Sequence, residues 1–267
     1  MHFAGVAKWR MVVNAAGAEL DFATSAQCYF GGLFGTLFLP SIVGGDVVRL
    51  AVGLRRSPRP AAVLTGNLID RSLDVAAQAG LVLLGFLLLP EMDLVPENME
   101  VIIDHVLLGI TVGIVLLSVL AFVLRKKILR GRSVRFRRRL ARFRHALRSV
   151  SKRPRILALG WLLGTCIQLA FLMLTAKLAV YCGLTLPVRA WLFAWPLAKL
   201  AAVLPLTQGG IGVREAALVV LLSPFGAPGP LVLAVGLLWE AVVIAGGLIA
   251  GAVALILRRH VDQPNVS

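Results

Sequence analysis

The chain of 267 residues is 58% hydrophobic and only 15% charged, with a mean hydropathy of +0.86. Soluble domains run nearer about 45–50% apolar and about 25% charged, which excludes a soluble globular enzyme as the class. The apolar runs far exceed the ~10-residue strands of a membrane barrel, so the composition predicts an all-α, polytopic membrane helix bundle. The net charge of +15 is concentrated: residues 125–155 hold fifteen Lys/Arg and no acid. In a membrane protein such a run reads first as a cytoplasmic anchor, not a nucleic-acid patch. Membrane lipids, anionic ones above all, are therefore the expected partners, and nucleic acid is not.

Residues 1–21 are too short for a full span, and Lys8, Trp9 and Arg10 read as an interfacial anchor. The apolar run from Phe22 to Leu39 breaks at Pro40. It resumes as a short helix from Asp46 to about Leu54, with Asp46 placed as its N-cap. Residues 64–90 form the first long span, whose first turns hold Asn67, Asp70, Arg71 and Asp74. Asp70 and Asp74 are four apart and share a face, while Arg71 and Asp74, three apart, can pair. The stretch 91–104 carries five acids and no base, and residues 105–124 make a second span. In the basic loop Phe136, Leu140, Phe143 and Leu147 recur at i, i+4, i+7 and i+11. That spacing makes an amphipathic helix lying on an anionic leaflet, as a lipid recruiter or simply as a topology anchor. Residues 156–182 and 231–257 supply the remaining spans.

Positive-inside logic puts the basic loop, Arg55, Arg56, Arg59 and the closing Arg258 and Arg259 in the cytoplasm, and the acidic stretch outside. Residues 22–50 must then enter and leave on the cytoplasmic face, and residues 190–222 must re-enter from the other. Two extra complete spans, with Lys8 and Arg10 outside, are the alternative. The chain is expected to be one transmembrane domain over 1–267. A first repeat covers about 22–124, the basic loop 125–155, and a second, inverted repeat about 156–257.

The repeat rests on a frame that occurs twice: Leu-Pro, three residues, Gly-Gly, three residues, Arg. It runs over residues 39–49, with Gly44, Gly45, Asp46 and Arg49, and again over 204–214, with Gly209, Gly210, Gly212 and Arg214, followed by Glu215. Irregular backbone inside apolar sequence survives only where protein or a water-filled cavity satisfies it, and intramembrane charges are costly enough to mark function. A helix starting at Gly210 or Ile211 would turn free amides toward the break, with Arg214 as a bidentate donor for phosphate. The glycines would let a headgroup approach closely. The bland alternative is a glycine-lined helix crossing in which Arg214 is neutralised by Glu215 or another carboxylate. Asp70, Arg71 and Asp74 serve either as polar support for the site or as an interfacial ion pair. Lys199 and Glu240 lie deeper, and Glu240 needs Arg214 or Lys199 as partner. Cys28, Cys166 and Cys182 have no CxxC spacing and the four histidines are scattered, so neither a metal nor another cofactor is expected.

Three blocks, residues 39–49, 70–74 and 205–215, together resemble the transmembrane (flippase-like) domain family of lysylphosphatidylglycerol synthases and their stand-alone relatives. Trp9, Arg10 and the closing span fit too, so the resemblance runs over nearly the whole chain. It implies a multi-pass protein of a bacterial or archaeal cell membrane, related to domains that move aminoacylated phospholipid between leaflets. Family members usually start one or two helices earlier and the synthases add a soluble aminoacyl-transferase domain. The resemblance therefore implies the translocase-like part alone, beginning after the first span. Two other functions compete. One is a lipid-linked transferase using Asp46 or Asp70 and Asp74 as base, for which no nucleotide motif or metal site speaks. The other is a non-transporting scaffold, as a homo-oligomer or beside a lipid-biosynthesis partner.

Overall fold

The computed structural model describes residues 1–39, 44–88, 134–202, 207 and 210–262. The described residues are all-helical, without strands. In chain order the helices are α1 (His2–Ala15), α2 (Phe22–Gly35), α3 (Gly44–Arg56), α4 (Pro60–Leu87), α5 (Val134–Ser151), α6 (Pro154–Tyr181), α7 (Val188–Ala201), α8 (Val213–Leu222) and α9 (Gly229–Asp262). A 3-10 turn, Ser223–Phe225, follows α8. The Pro40 break, Gly209, the acidic stretch, the span at 105–124 and the first part of the basic loop lie outside the described residues.

Local chemistry explains most helix ends. Asp21 caps α2, its Oδ2 accepting from the Ala23 and Thr24 amides at 3.1 and 3.2 Å. The turn before it is pinned by Asn14, which donates to the Leu20 carbonyl and accepts from the Leu20 amide, both at 2.8 Å. α4 and α6 each open on a proline, whose missing N–H and fixed φ suit the first helical position. Both therefore start a little earlier than the apolar runs predict. α3 also starts earlier, at Gly44, which places Asp46 in its first turn and not at its cap.

Helix length divides the bundle. α6 and α9 are long and apolar enough to cross a membrane, and most of each faces outward. Their outer faces carry Leu159, Leu162, Leu237, Leu248, Ile249, Leu255 and Ile256, apolar side chains that water would not tolerate in such number. α2 and α7 have 14 residues each, or ~21 Å at the α-helical rise, short of a ~30 Å hydrocarbon core.

Packing is reciprocal. α2 packs against α9, and α7 against α4. Both contacts depend on glycines. A Cβ on Gly247 or Gly251 of α9 would fall 2.8 or 2.4 Å from the side chains of Leu37 or Phe34. A Cβ on Gly85 of α4 would fall 2.6 Å from the backbone nitrogen of Phe193 in α7. One hydrophobic core gathers Leu172, Trp191, Trp195, Leu218, Leu222 and Trp239, and a second gathers Trp9, Val13, Cys28 and Val63.

Two expectations need correction. Lys8 and Trp9 are no interfacial anchor: they are 3% and 0% exposed, inside the bundle. A lone lysine on a short apolar helix goes inward when carboxylates on another helix wait for it, as they do here. The basic helix α5 does not rest on its predicted stripe alone either. Ala146 and Val150, each three residues on from Phe143 and Leu147, are buried in the second core, and Ser149 donates to the Ala15 carbonyl at 3.1 Å. Leu147 remains 45% exposed. Three residues turn a helix by about 300°, so docking face and stripe lie side by side.

Candidate functional site

The predicted site residues fall into two buried charged clusters, one per half of the chain. The first joins α1, α3 and α4. Lys8 Nζ lies 2.8 Å from Asp70 Oδ1 and 2.6 Å from Asp74 Oδ1. Arg49 pairs with Asp46 three residues earlier and reaches Asp70 Oδ2 at 4.0 Å. Arg71 Nη2 donates to Asp46 Oδ1 at 2.5 Å. Its Nε lies 2.5 Å from Asp46 Oδ2 as an ion-pair contact without hydrogen-bond geometry, and the guanidinium is 3.7 Å from Asp74. Three cations thus face three carboxylates, so the cluster is neutral as a whole. Charge-assisted hydrogen bonds of this kind are roughly twice as strong as neutral ones. Trp9 Nε1 donates to Asn67 Oδ1 at 2.9 Å, and the Arg49 guanidinium lies over the rings of Trp9 and Tyr29 at 5.4 and 5.6 Å.

The second cluster joins α7, α8 and α9. Arg214 Nη2 lies 2.5 Å from Glu215 Oε1 and 2.8 Å from Glu240 Oε2. Its guanidinium lies 5.8 Å from the centre of the Trp195 ring. Of the two partners offered to Glu240 by sequence, the structure selects Arg214. Lys199 instead donates to Gln168 Oε1 at 2.7 Å and lies over the Phe171 ring at 5.7 Å.

The glycines divide by role. Gly210 and Gly212 have φ of +80° and +86°, a region that favours glycine, so the backbone itself requires them. α8 consequently starts at Val213, later than expected, and Glu215 turns back to accept from the Gly212 amide at 2.6 Å. One of the helix's free amides is therefore already occupied by a carboxylate. A Cβ on Gly44 would strike Leu39, on Gly45 the Gly32 carbonyl, and on Gly210 Ala202. Only beside Gly212, among these three and it, is there open space.

The end of α2 and the described part of the second break line a common cavity. A cavity of about 280 Å³ is lined by Thr36, Leu37 and Phe38 from the end of α2, Ile211 from the second break, and Glu240 with Val243, Ile244 and Leu248 from α9. A smaller one of about 60 Å³ is lined by Tyr29, Gly32, Thr36, Gly45, Asp46, Arg49 and Arg71, with Leu33. Thr36 belongs to both walls, so the cavity beside the first charged cluster adjoins the one that reaches Glu240 of the second. Sequence reasoning missed Lys8, Thr36, Tyr29 and Trp195. A charge count could have found Lys8: α4 holds two aspartates against one arginine and needs a cation from elsewhere.

With this geometry in place the chain can be set beside known proteins. The family model described as the lysylphosphatidylglycerol synthase TM region matches residues 1–251. The chain belongs to that family. No curated protein and no solved structure matches it. A lysylphosphatidylglycerol synthase TM region is a membrane domain, which agrees with the outward apolar faces of α6 and α9. Within this member the matched residues include both charged clusters and both cavities.

Proposed function

We propose that the protein is a lipid translocase: a membrane domain that carries an anionic or aminoacylated phospholipid headgroup past the two breaks. The observation that carries this reading is the cavity pair sharing Thr36: one is walled by Asp46, Arg49 and Arg71, and the other reaches Glu240, the partner of Arg214. Buried charge is expensive in a bilayer, and a bundle that needed only stability would be served as well by apolar side chains. A headgroup crossing the hydrocarbon core, by contrast, needs polar surface along its way.

The halves are read as inverted repeats with re-entrant hairpins, α2–α3 and α7–α8, entering from opposite faces. Three features support this. The hairpins exchange partners, α2 with α9 and α7 with α4. Each break's arginine meets a carboxylate on the following long helix, Asp70 at the eleventh position of α4 and Glu240 at the twelfth of α9. Each is also covered by an aromatic ring from the eighth residue of the preceding short helix, Tyr29 or Trp195. Interrupted helices paired in this way are how secondary transporters build a site near the midplane. In this reading α5 and the C-terminus lie in the cytoplasm, and the energy is a lipid or ion gradient.

The test is leaflet exchange in proteoliposomes with fluorescent anionic and zwitterionic phospholipids. Ile211→Trp, at a wall residue 39% exposed, fills the larger of these two cavities while every charged residue of both clusters is kept. The parent should exchange the anionic probe and the plugged variant should do so several-fold more slowly. Exchange by the parent no faster than in empty liposomes would refute the translocase reading, and equal rates in the two would remove the cavity from the path.

A further inference from the structure

The arginines that the sequence offers for an anion are already neutralised. Arg49 has Asp46 and Asp70, Arg214 has Glu215 and Glu240, Lys8 has Asp70 and Asp74, and Arg71 has Asp46. An incoming phosphate would have to displace a buried carboxylate from each. Lys199 differs. It is half-buried near the C-terminal end of α7, and among the described residues no carboxylate lies within ion-pair distance. Its one hydrogen bond goes to the neutral amide of Gln168, so two of the three ammonium protons have no acceptor among the described residues.

Other buried groups in this half of the bundle also lack partners. Trp195, one turn earlier on the same face of α7, is 1% exposed and its Nε1 has no hydrogen-bond partner. Arg214, within electrostatic range of Lys199 as Asp74 and Arg71 also are, is 5% exposed and its Nε has none either. The Thr207 hydroxyl, between α7 and α8, is a third buried polar group without a partner. Buried donors are nearly always paired and leaving one unpaired is costly, so the unpaired Trp195 Nε1 and Arg214 Nε, together with the spare protons of Lys199, call for an acceptor.

We infer that Lys199, backed by Trp195 and Arg214, forms an anion-binding site inside the bundle that takes the phosphate of a membrane phospholipid. A phosphodiester brings two charged oxygens and two ester oxygens, acceptors only, against ammonium, indole and guanidinium N–H groups that only donate. The aromatic wall of Phe171, Trp195 and Trp239, whose rings meet edge to face at 5.2 and 5.7 Å, suits the start of the lipid's acyl chains. The inference rests on reading the bundle as a handler of lipid headgroups, and it moves the main phosphate contact from the two arginines to Lys199, with only the unpaired Nε of Arg214 in support.

The experiment is a scintillation-proximity titration of radiolabelled phosphatidylglycerol onto the purified full chain in mild detergent, with dioleoylglycerol and inorganic phosphate as competitors. Lys199→Gln should weaken binding roughly tenfold or more, the usual worth of a charged hydrogen bond, and Lys199→Arg should restore most of it. Dioleoylglycerol, which lacks the phosphate, should compete poorly. Trp195→Phe, which removes one donor and keeps the ring, should weaken binding several-fold and stands in if Lys199→Gln does not fold. Parent-like binding by folded Lys199→Gln, or by Trp195→Phe in its place, overturns the site. Displacement by inorganic phosphate as effective as by unlabelled lipid assigns the site to free phosphate and overturns the lipid. Lys199-dependent binding in a protein that exchanges no lipid supports the site while the translocase reading fails.

Discussion

Removing Arg214 should damage the protein far more than an ordinary substitution, and the damage should be repaired by removing a second charge. Arg214, Glu215 and Glu240 are 5%, 1% and 7% exposed, and the guanidinium is what separates the two carboxylates. Arg214→Ala leaves both facing each other in a dry site. Breaking a buried pair by deleting one partner costs about 3–5 kcal/mol, because the other charge is stranded. At roughly 2–4 °C per kcal/mol for a chain of this size, the melting temperature in detergent should fall by about 6–20 °C. Glu240→Gln alone leaves Arg214 its bond to Glu215 and should cost only ~1–2 kcal/mol. In the double variant one stranded charge is gone, so the loss should be about 2 kcal/mol less than the sum of the two single losses. The assay is thermal unfolding of all four proteins in one detergent, analysed as a cycle. Strict additivity would refute the argument, since it would mean that Arg214 and Glu240 do not sense each other. The same result bears on transport assays: lost exchange in Arg214→Ala would report folding as much as function, which is why the cavity plug is the cleaner probe.

Two further outcomes follow from contacts elsewhere in the bundle. Gly85→Ala should cost about 1–3 kcal/mol, since the new methyl would lie 2.6 Å from the Phe193 nitrogen, and backbone cannot yield as a flexible side chain does. Gly31→Ala and Gly246→Ala, in helices with nothing within 4 Å, should be neutral or gain up to ~1 kcal/mol from helix propensity; thermal unfolding that fails to separate them from Gly85→Ala would refute the close-packing account. Lys8→Gln should cost about 3–5 kcal/mol by stranding Asp70 and Asp74. Arg59→Ala should stay within about 0.5 kcal/mol, because its 2.5 Å pair with Glu19 joins side chains 57% and 61% exposed. Equal losses in those two variants would show that burial does not set the value of these ion pairs.

Much of this arrangement was legible in the sequence, and the illegible part has a physical reason. Intramembrane charge is rare enough that Asp46, Arg49, Asp70, Arg71, Asp74, Arg214, Glu215 and Glu240 announced themselves, and all eight do sit in the two clusters. That Glu240 needs a cation also follows from depth, but by sequence Arg214 and Lys199 are equal candidates, and only the packing of α8 against α9 chooses Arg214. Helix spacing likewise gave α5, though not which of its faces docks, because that depends on α1 and α4, whose surfaces no local window contains. Lys8 shows the limit most clearly. In its own helix it is one cation beside a tryptophan and an arginine, the composition of an interfacial anchor. Only the charge excess of α4, some sixty residues on, draws it inward.

Thr36 marks a second limit, and it bears on how the site works. A threonine in an apolar run carries no functional signal, and here its hydroxyl merely returns to the Gly32 carbonyl at 3.1 Å, as threonines in helices commonly do. Its importance comes from position: it stands where the cavity beside Arg49 and Arg71 adjoins the one that ends on Glu240. Gly45 fixes that position, since a Cβ there would lie 2.2 Å from the Thr36 hydroxyl. The paired glycines of the first frame thus act through packing. A side chain at Gly44 would strike Leu39, and one at Gly45 would strike the Gly32 carbonyl and Thr36. The close approach of α3 to the end of α2, which shapes both cavity walls, therefore depends on them.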